Sequence, residues 1–153
     1  MKQSLIVREE LTFKANAEKV WDLLINPEMT KQYMFGCEVL SDWKVGTPIV
    51  WQGKNEANRD VVYVKGEIME VVPQRKVTFT MFDPNLGLDD IPENYVDLTY
   101  DILPQKTGCK LIITQGDFQG AENAEKRFEE SLRGWKMVIP KMKEVLHEAP
   151  PGE

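Results

Sequence analysis

Few residues in this chain could carry covalent or acid–base chemistry. It has one histidine, His147. A Ser-His-Asp or Cys-His machine would have to use it. It stands between Glu144 and Glu148, beside the tail Ala149-Pro150-Pro151-Gly152-Glu153, where an exposed or frayed residue is expected. Cys37 and Cys109 have no Cys or His neighbour at metal-ligand spacing, so they read as reduced thiols and not as a zinc site. Asp83, Asp89, Asp90 and Glu93 form an acidic stretch whose spacing does not match a calcium-binding loop, so it reads as solvated. Glu70 shares the parity of Val64, Gly66 and Ile68. Facing inward, it would be the best general base, with a raised pKa; a bulge or strand end there would turn it out. No catalytic residue, metal or cofactor is assigned.

The chain is better supplied with groups that hold a ligand by contact. Trp51, Phe79, Met81, Tyr100, Trp135 and Met142 offer large or adaptable apolar surface. They can be plain core, the wall of a pocket, or both. Gln115 follows Leu111 and Ile113 on one parity, so its amide enters the interior and needs a partner. Tyr100, a backbone group, water or a ligand could serve, and Trp135 could offer its indole N–H in the same way. Tyr33 and Phe35 are candidates for a gate or for a hydrophobic latch.

Positioning these side chains requires particular elements. Leu5 to Phe13 alternates like a half-buried strand. Asn16 can cap a short helix carrying Val20, Trp21, Leu23 and Leu24. Pro27 suits the start of a second helix, which runs through Tyr33. Strands are expected at 37–40, 48–52, 61–72, 77–81, 96–102 and 111–115. From Glu122 to His147 the apolar positions Phe128, Leu132, Trp135, Val138, Ile139, Met142, Val145 and Leu146 form a helical stripe, with acids early and lysines late. Pro140 lies inside it and predicts a kink. Hairpin-length connections make the sheet antiparallel. The class is α+β, with one long helix available to cover one curved sheet, and a cavity between them is plausible.

Composition agrees with a single soluble domain. The chain has 153 residues, 42% hydrophobic and 29% charged, with 19 basic against 25 acidic side chains and a net charge of −6. The acidic balance argues against nucleic acid as a partner. No apolar run reaches the ~20 residues a membrane helix needs. Charge begins too early at the N-terminus for a signal peptide, so a cytoplasmic location is expected. One domain over residues 1–149 is expected, with 150–153 as a disordered tail.

Residues 17–24 (Ala-Glu-Lys-Val-Trp-Asp-Leu-Leu), followed by Asn26-Pro27-Glu28, resemble the first helix of the START-like helix-grip superfamily (SRPBCC). Gly36, the run from Ser41 to Ile49 and Trp51 resemble the branch named after the activator of heat-shock protein 90 ATPase. Lys65-Gly66-Glu67-Ile68 with Pro73, Thr114-Gln115 with Phe118, and Gly134-Trp135 ahead of Met142-Lys143 extend the match from about Leu5 to Leu146. Pro140 departs from the leucine-rich stretch usual there. The resemblance implies a seven-stranded antiparallel sheet gripping the C-terminal helix around an apolar cavity. Members of the superfamily bind lipids, sterols, polyketides or plant hormones, and a few are cyclases or hydrolases.

The leading expectation is a binding protein for a hydrophobic or amphipathic small molecule, held by Trp51, Phe79, Met81, Tyr100, Gln115, Trp135 and Met142. A cyclase or hydrolase acting on an aromatic or polyketide-like substrate ranks second, with Glu70, Tyr100 and Gln115 as its available polar groups. A co-chaperone-like module that activates an ATPase ranks third. The eukaryotic activator carries an additional N-terminal domain, and 153 residues are expected to hold the helix-grip domain alone. The sequence permits a homodimer without demanding one.

Overall fold

Two asparagines start the two short helices. In the computed structural model, which describes residues 3–148, the Asn16 side chain accepts the Lys19 backbone N–H at 3.0 Å and starts α1 (Ala17–Ile25). The Asn26 side chain accepts the Glu28 N–H at 3.0 Å, and Pro27 opens α2 (Pro27–Tyr33). Such caps satisfy backbone donors that the first helical turn leaves free. Leu23 and Leu24 are buried, and the Tyr33 hydroxyl donates to the Leu23 carbonyl at 2.8 Å, locking α2 onto α1.

The remaining elements are β1 (Val7–Phe13), β2 (Glu38–Ser41), β3 (Pro48–Lys54), β4 (Asp60–Val72), β5 (Lys76–Met81), β6 (Val96–Pro104), β7 (Cys109–Gln115) and α3 (Ala124–Val145). A single 3₁₀ turn at Pro92–Asn94 precedes β6. The seven strands form one curved antiparallel sheet in the order β1-β7-β6-β5-β4-β3-β2. This is the helix-grip α+β fold, with two short helices after the first strand and the long helix last. Alternation decides the buried face. Leu98, Tyr100 and Ile102 of β6 face inward with Leu111, Ile113 and Gln115 of β7, while Asp97 is exposed. The residues proposed as a tail, 150–153, lie outside the described residues.

Two irregularities in β4 set the inner surface. Ile68 pairs with Phe79 but Glu70 pairs with Thr78, so Met69 is an extra residue. The bulge shifts the parity. Glu70 therefore turns outward, with its side chain 51% exposed and 3.4 Å from Lys76 Nζ. The inward orientation read from simple alternation is thus corrected. A second shift pairs Trp51 with Val64 and Gln52 with Val62, leaving Tyr63 as the extra residue. Between the bulges, Gly66 lets β4 cross close to β5: a Cβ there would sit 1.7 Å from the Thr80 carbonyl oxygen.

The long helix is shorter at both ends than the periodicity suggests. Asn123 has φ 57° and no side-chain cap bond, so the helix begins at Ala124 instead of Glu122. The segment just ahead of the helix is tied down by another element instead. Buried Asn94 accepts the Glu122 N–H on its Oδ1 at 2.9 Å, and its backbone carbonyl accepts from Arg127 at 2.9 Å. At the other end His147 has φ 57° and is exposed, which stops the helix at Val145. The backbone stays α-helical across Pro140. Both Lys136 and Pro140 are exposed, so the Lys136 carbonyl that loses its usual donor lies on the solvent side. Trp135, Val138, Ile139, Met142 and Lys143 form the buried face.

Candidate functional site

Sheet and helix do not close completely. Between them lies a pocket of about 440 Å³. From the sheet come Trp51, Tyr63, Val64, Met81, Leu98 and Gln115, and from α3 come Ser131, Gly134, Trp135 and Val138. The segment after α2 adds Met34, Phe35 and Cys37. The β4 bulge explains why the consecutive residues Tyr63 and Val64 both reach this wall, since a regular strand would point them to opposite faces. Gly134 explains the space on the helix side: a Cβ built there meets nothing within 4 Å.

The wall is apolar and carries few polar groups. Among the described residues, no Asp, Glu, Lys, Arg or His lines it. Gln115 is buried, and its Oε1 accepts the Trp135 indole N–H at 2.8 Å. That bond orients the amide, so its nitrogen faces the Met81 sulfur at 3.7 Å. A thioether is a weak acceptor, so the donor is poorly used. Trp51 is 3% exposed, and its indole N–H has no hydrogen-bond partner among the described residues. An unsatisfied buried donor costs roughly 1–3 kcal/mol. The Tyr100 hydroxyl is likewise buried without a partner, and burial holds its pKa far above the ordinary phenol value. Tyr100 therefore stays a neutral phenol near neutral pH.

The residues proposed from sequence divide between wall and core. Trp51, Met81, Gln115 and Trp135 line the pocket. Phe79, Tyr100 and Met142 are fully buried and are not among its lining residues. Tyr100 supports the wall from behind, edge-on to Trp135 with ring centroids 6.3 Å apart, and Phe79 packs against Tyr100 at 6.2 Å. Of the gate pair, Tyr33 is 0% exposed in the core, while Phe35 is 58% exposed and stands on the pocket rim. Phe35 has φ 53°, an unusual conformation for a bulky residue, and Lys141 Nζ lies 5.6 Å from its ring centroid. Val64 was read as inward-facing and does reach the wall, whereas Met34, Cys37, Tyr63, Leu98, Ser131, Gly134 and Val138 were not among the residues proposed for the site. Glycine has no hydropathy signal, Met34 follows the second helix, Cys37 stood at the edge of an expected strand, and the bulge at Tyr63 hides that residue's turn to the wall.

The acidic stretch after β5 is tied to the sheet. Asp90 accepts from Lys65 Nζ and from the Tyr95 hydroxyl at 2.7 Å, and those bonds lower its carboxyl pKa. The Asn85 amide donates to the Val62 carbonyl at 2.9 Å. Beside this stretch a smaller recess of about 220 Å³ shares Val64, Met81, Gln115 and Ser131 with the main pocket and adds Arg127, Asp83 and Glu130. Cys37 and Cys109 are free, and burial raises both thiol pKa values. They are weak nucleophiles in this setting. No helix among the described residues is long and apolar enough to cross a membrane.

Known proteins share this architecture. A solution structure of ChR145 from Cytophaga hutchinsonii is 33% identical, with a TM-score of 0.75 over 96% of this chain and 97% of that one. Protein CV1439 from Chromobacterium violaceum shares the fold at 20% identity and a TM-score of 0.73, covering 94% of this chain and 98% of its own. DynU16, encoded in the dynemicin biosynthetic locus, shares it at 12% identity and a TM-score of 0.72, covering 97% of this chain and 49% of its own. No curated protein matches in sequence. Residues 14–147 match the family described as activator of Hsp90 ATPase homolog 1-like protein. That span runs from the end of β1 to the turn after α3 and includes every residue of the pocket wall, so the chain belongs to this family.

Proposed function

We propose that this protein binds an apolar or amphipathic small molecule in the pocket between the sheet and α3. One observation carries the reading: a 440 Å³ space with an apolar wall, kept open by a glycine on the covering helix. Ligand sites are of this kind, concave and mostly apolar with a few placed polar groups. A larger residue at position 134 would fill part of this space and gain packing contacts, yet the position is glycine. Phe35 on the rim is proposed as the side chain that moves when a ligand enters.

The cyclase or hydrolase alternative has less to work with. Glu70 is turned to solvent by the bulge, and Tyr100 is a buried neutral phenol outside the lining. Native mass spectrometry of untreated protein, followed by a thermal-shift screen of lipids and neutral aromatics, tests the binding reading. Retention of a small molecule, or a concentration-dependent rise in Tm with a hydrophobic compound, is the expected result. A protein that carries nothing and is stabilised by no compound contradicts it.

A further inference from the structure

The recess beside the acidic stretch bears on which ligands fit, on the premise that the main pocket is a ligand site. The two spaces adjoin, because Val64, Met81, Gln115 and Ser131 line both. The main pocket is uncharged among the described residues, and its polar groups are few. The Tyr63 hydroxyl lies 3.5 Å from the Lys54 carbonyl, while Gln115 and Ser131 mark the divide between the two spaces. Beyond that divide the lining changes character, with Arg127, Asp83 and Glu130 around about 220 Å³.

Of these three charges, Arg127 is the least well matched. Its guanidinium lies 5.9 Å from the ring centroid of Phe118, which also lines the recess. Its Nη1 donates to the Asn94 carbonyl at 2.9 Å, and no carboxylate among the described residues is within ion-pair distance. A guanidinium carries several N–H donors in a planar fork, so most of this one is unused by the protein. Burial pulls its pKa below the ordinary value, and Asp83 only partly offsets that. The nearest acids do not remedy this. Asp83 spends its Oδ1 on the Asn85 backbone and side-chain amides, at 2.8 and 3.1 Å, and Glu130 is exposed.

We propose that pocket and recess together hold an amphipathic anion, with an apolar body between the sheet and α3 and a carboxylate end on the Arg127 fork. A carboxylate matches that fork in charge and in planar geometry. Met81, unbranched and adaptable, borders both spaces and shifts to let the body pass. A neutral amphiphile of equal length fills the pocket but brings no counter-charge, and a cation brings the wrong sign.

The test uses three probes with one chain: decanoate, decan-1-ol and decylammonium. Each is titrated into the full-length protein labelled with ¹⁵N at pH 7.5, and the Arg127 Nε–H signal is followed. Decanoate is expected to bind at least about tenfold more tightly than decanol, the difference that a hydrogen bond to a charged group supplies. Decanoate should also move the Arg127 signal, while decanol does not. Arg127→Gln removes the charge and should erase the advantage of decanoate while leaving decanol binding unchanged. The wild-type order of affinities and the Arg127 signal stand by themselves should that variant fail to fold. Decanoate binding no tighter than decanol, tightest binding by decylammonium, or an advantage that survives Arg127→Gln overturns the anion assignment and leaves the pocket reading intact. Binding by none of the three also overturns the assignment, and the pocket reading then stands or falls with the compound screen.

Discussion

Gln115 is the residue on which interior and helix meet. It is an amide on the inward side of β7, and it spends its acceptor on the Trp135 indole at 2.8 Å. Replacing it with leucine keeps the volume and leaves the Trp135 N–H buried without a partner. Gln115→Leu is expected to lower unfolding free energy by about 1–3 kcal/mol, read by urea denaturation. The inward placement of Gln115 was legible because β7 is regular and the period of two holds to its last residue. The choice of Trp135 as partner was not legible, since parity says which face a side chain occupies and nothing of what crosses from the helix. Glu70 shows the opposite case. It had the right parity, but one extra residue at Met69 reversed it, and Met69 differs little from any other strand residue.

At the scale of elements, α3 is held at its start by a loop residue instead of its own cap. Asn94 is 3% exposed and bridges the Glu122 N–H to the Asp89 carbonyl through its side chain, at 2.9 and 2.8 Å. Asn94→Ala removes both bonds and is expected to cost about 1–3 kcal/mol. The loss should appear as faster amide exchange in the first turn of α3, while β6 and β7 keep their protection. The helical stripe from Phe128 to Leu146 was readable from periodicity, and the structure buries or half-buries each of its members. Its start was not readable, because the partner of Glu122 lies 28 residues earlier in the chain.

For the whole molecule, one exposed carboxylate ties the chain's early and late parts together. Asp117 Oδ1 accepts the Gln119 and Leu5 backbone N–H groups, each at 2.9 Å. These bonds hold its pKa below the ordinary 3.8, with the Gln119 bond the larger cause. A carboxyl with a depressed folded pKa stabilises the fold above its unfolded pKa and loses that contribution as pH falls through the folded value. Asp117→Ala should therefore unfold at lower urea than wild type at pH 7, with the two midpoints converging once the pH is below the depressed value. Asp90, held by Lys65 and Tyr95, belongs to the same acid-sensitive set.

Sheet and α3 flank the pocket, and its proposed use is to hold a small molecule. Gly134 offers the most direct measurement, because its missing side chain leaves that space. Gly134→Leu places a side chain in the pocket and improves helix propensity by up to about 1 kcal/mol. The decisive comparison is fluorescence titration of wild type and Gly134→Leu with the neutral probe N-phenyl-1-naphthylamine. Wild type is expected to bind saturably, and the variant to bind at least about tenfold more weakly, roughly 1.4 kcal/mol, while melting no lower. Equal binding by the two proteins, or no binding by wild type, would contradict the account.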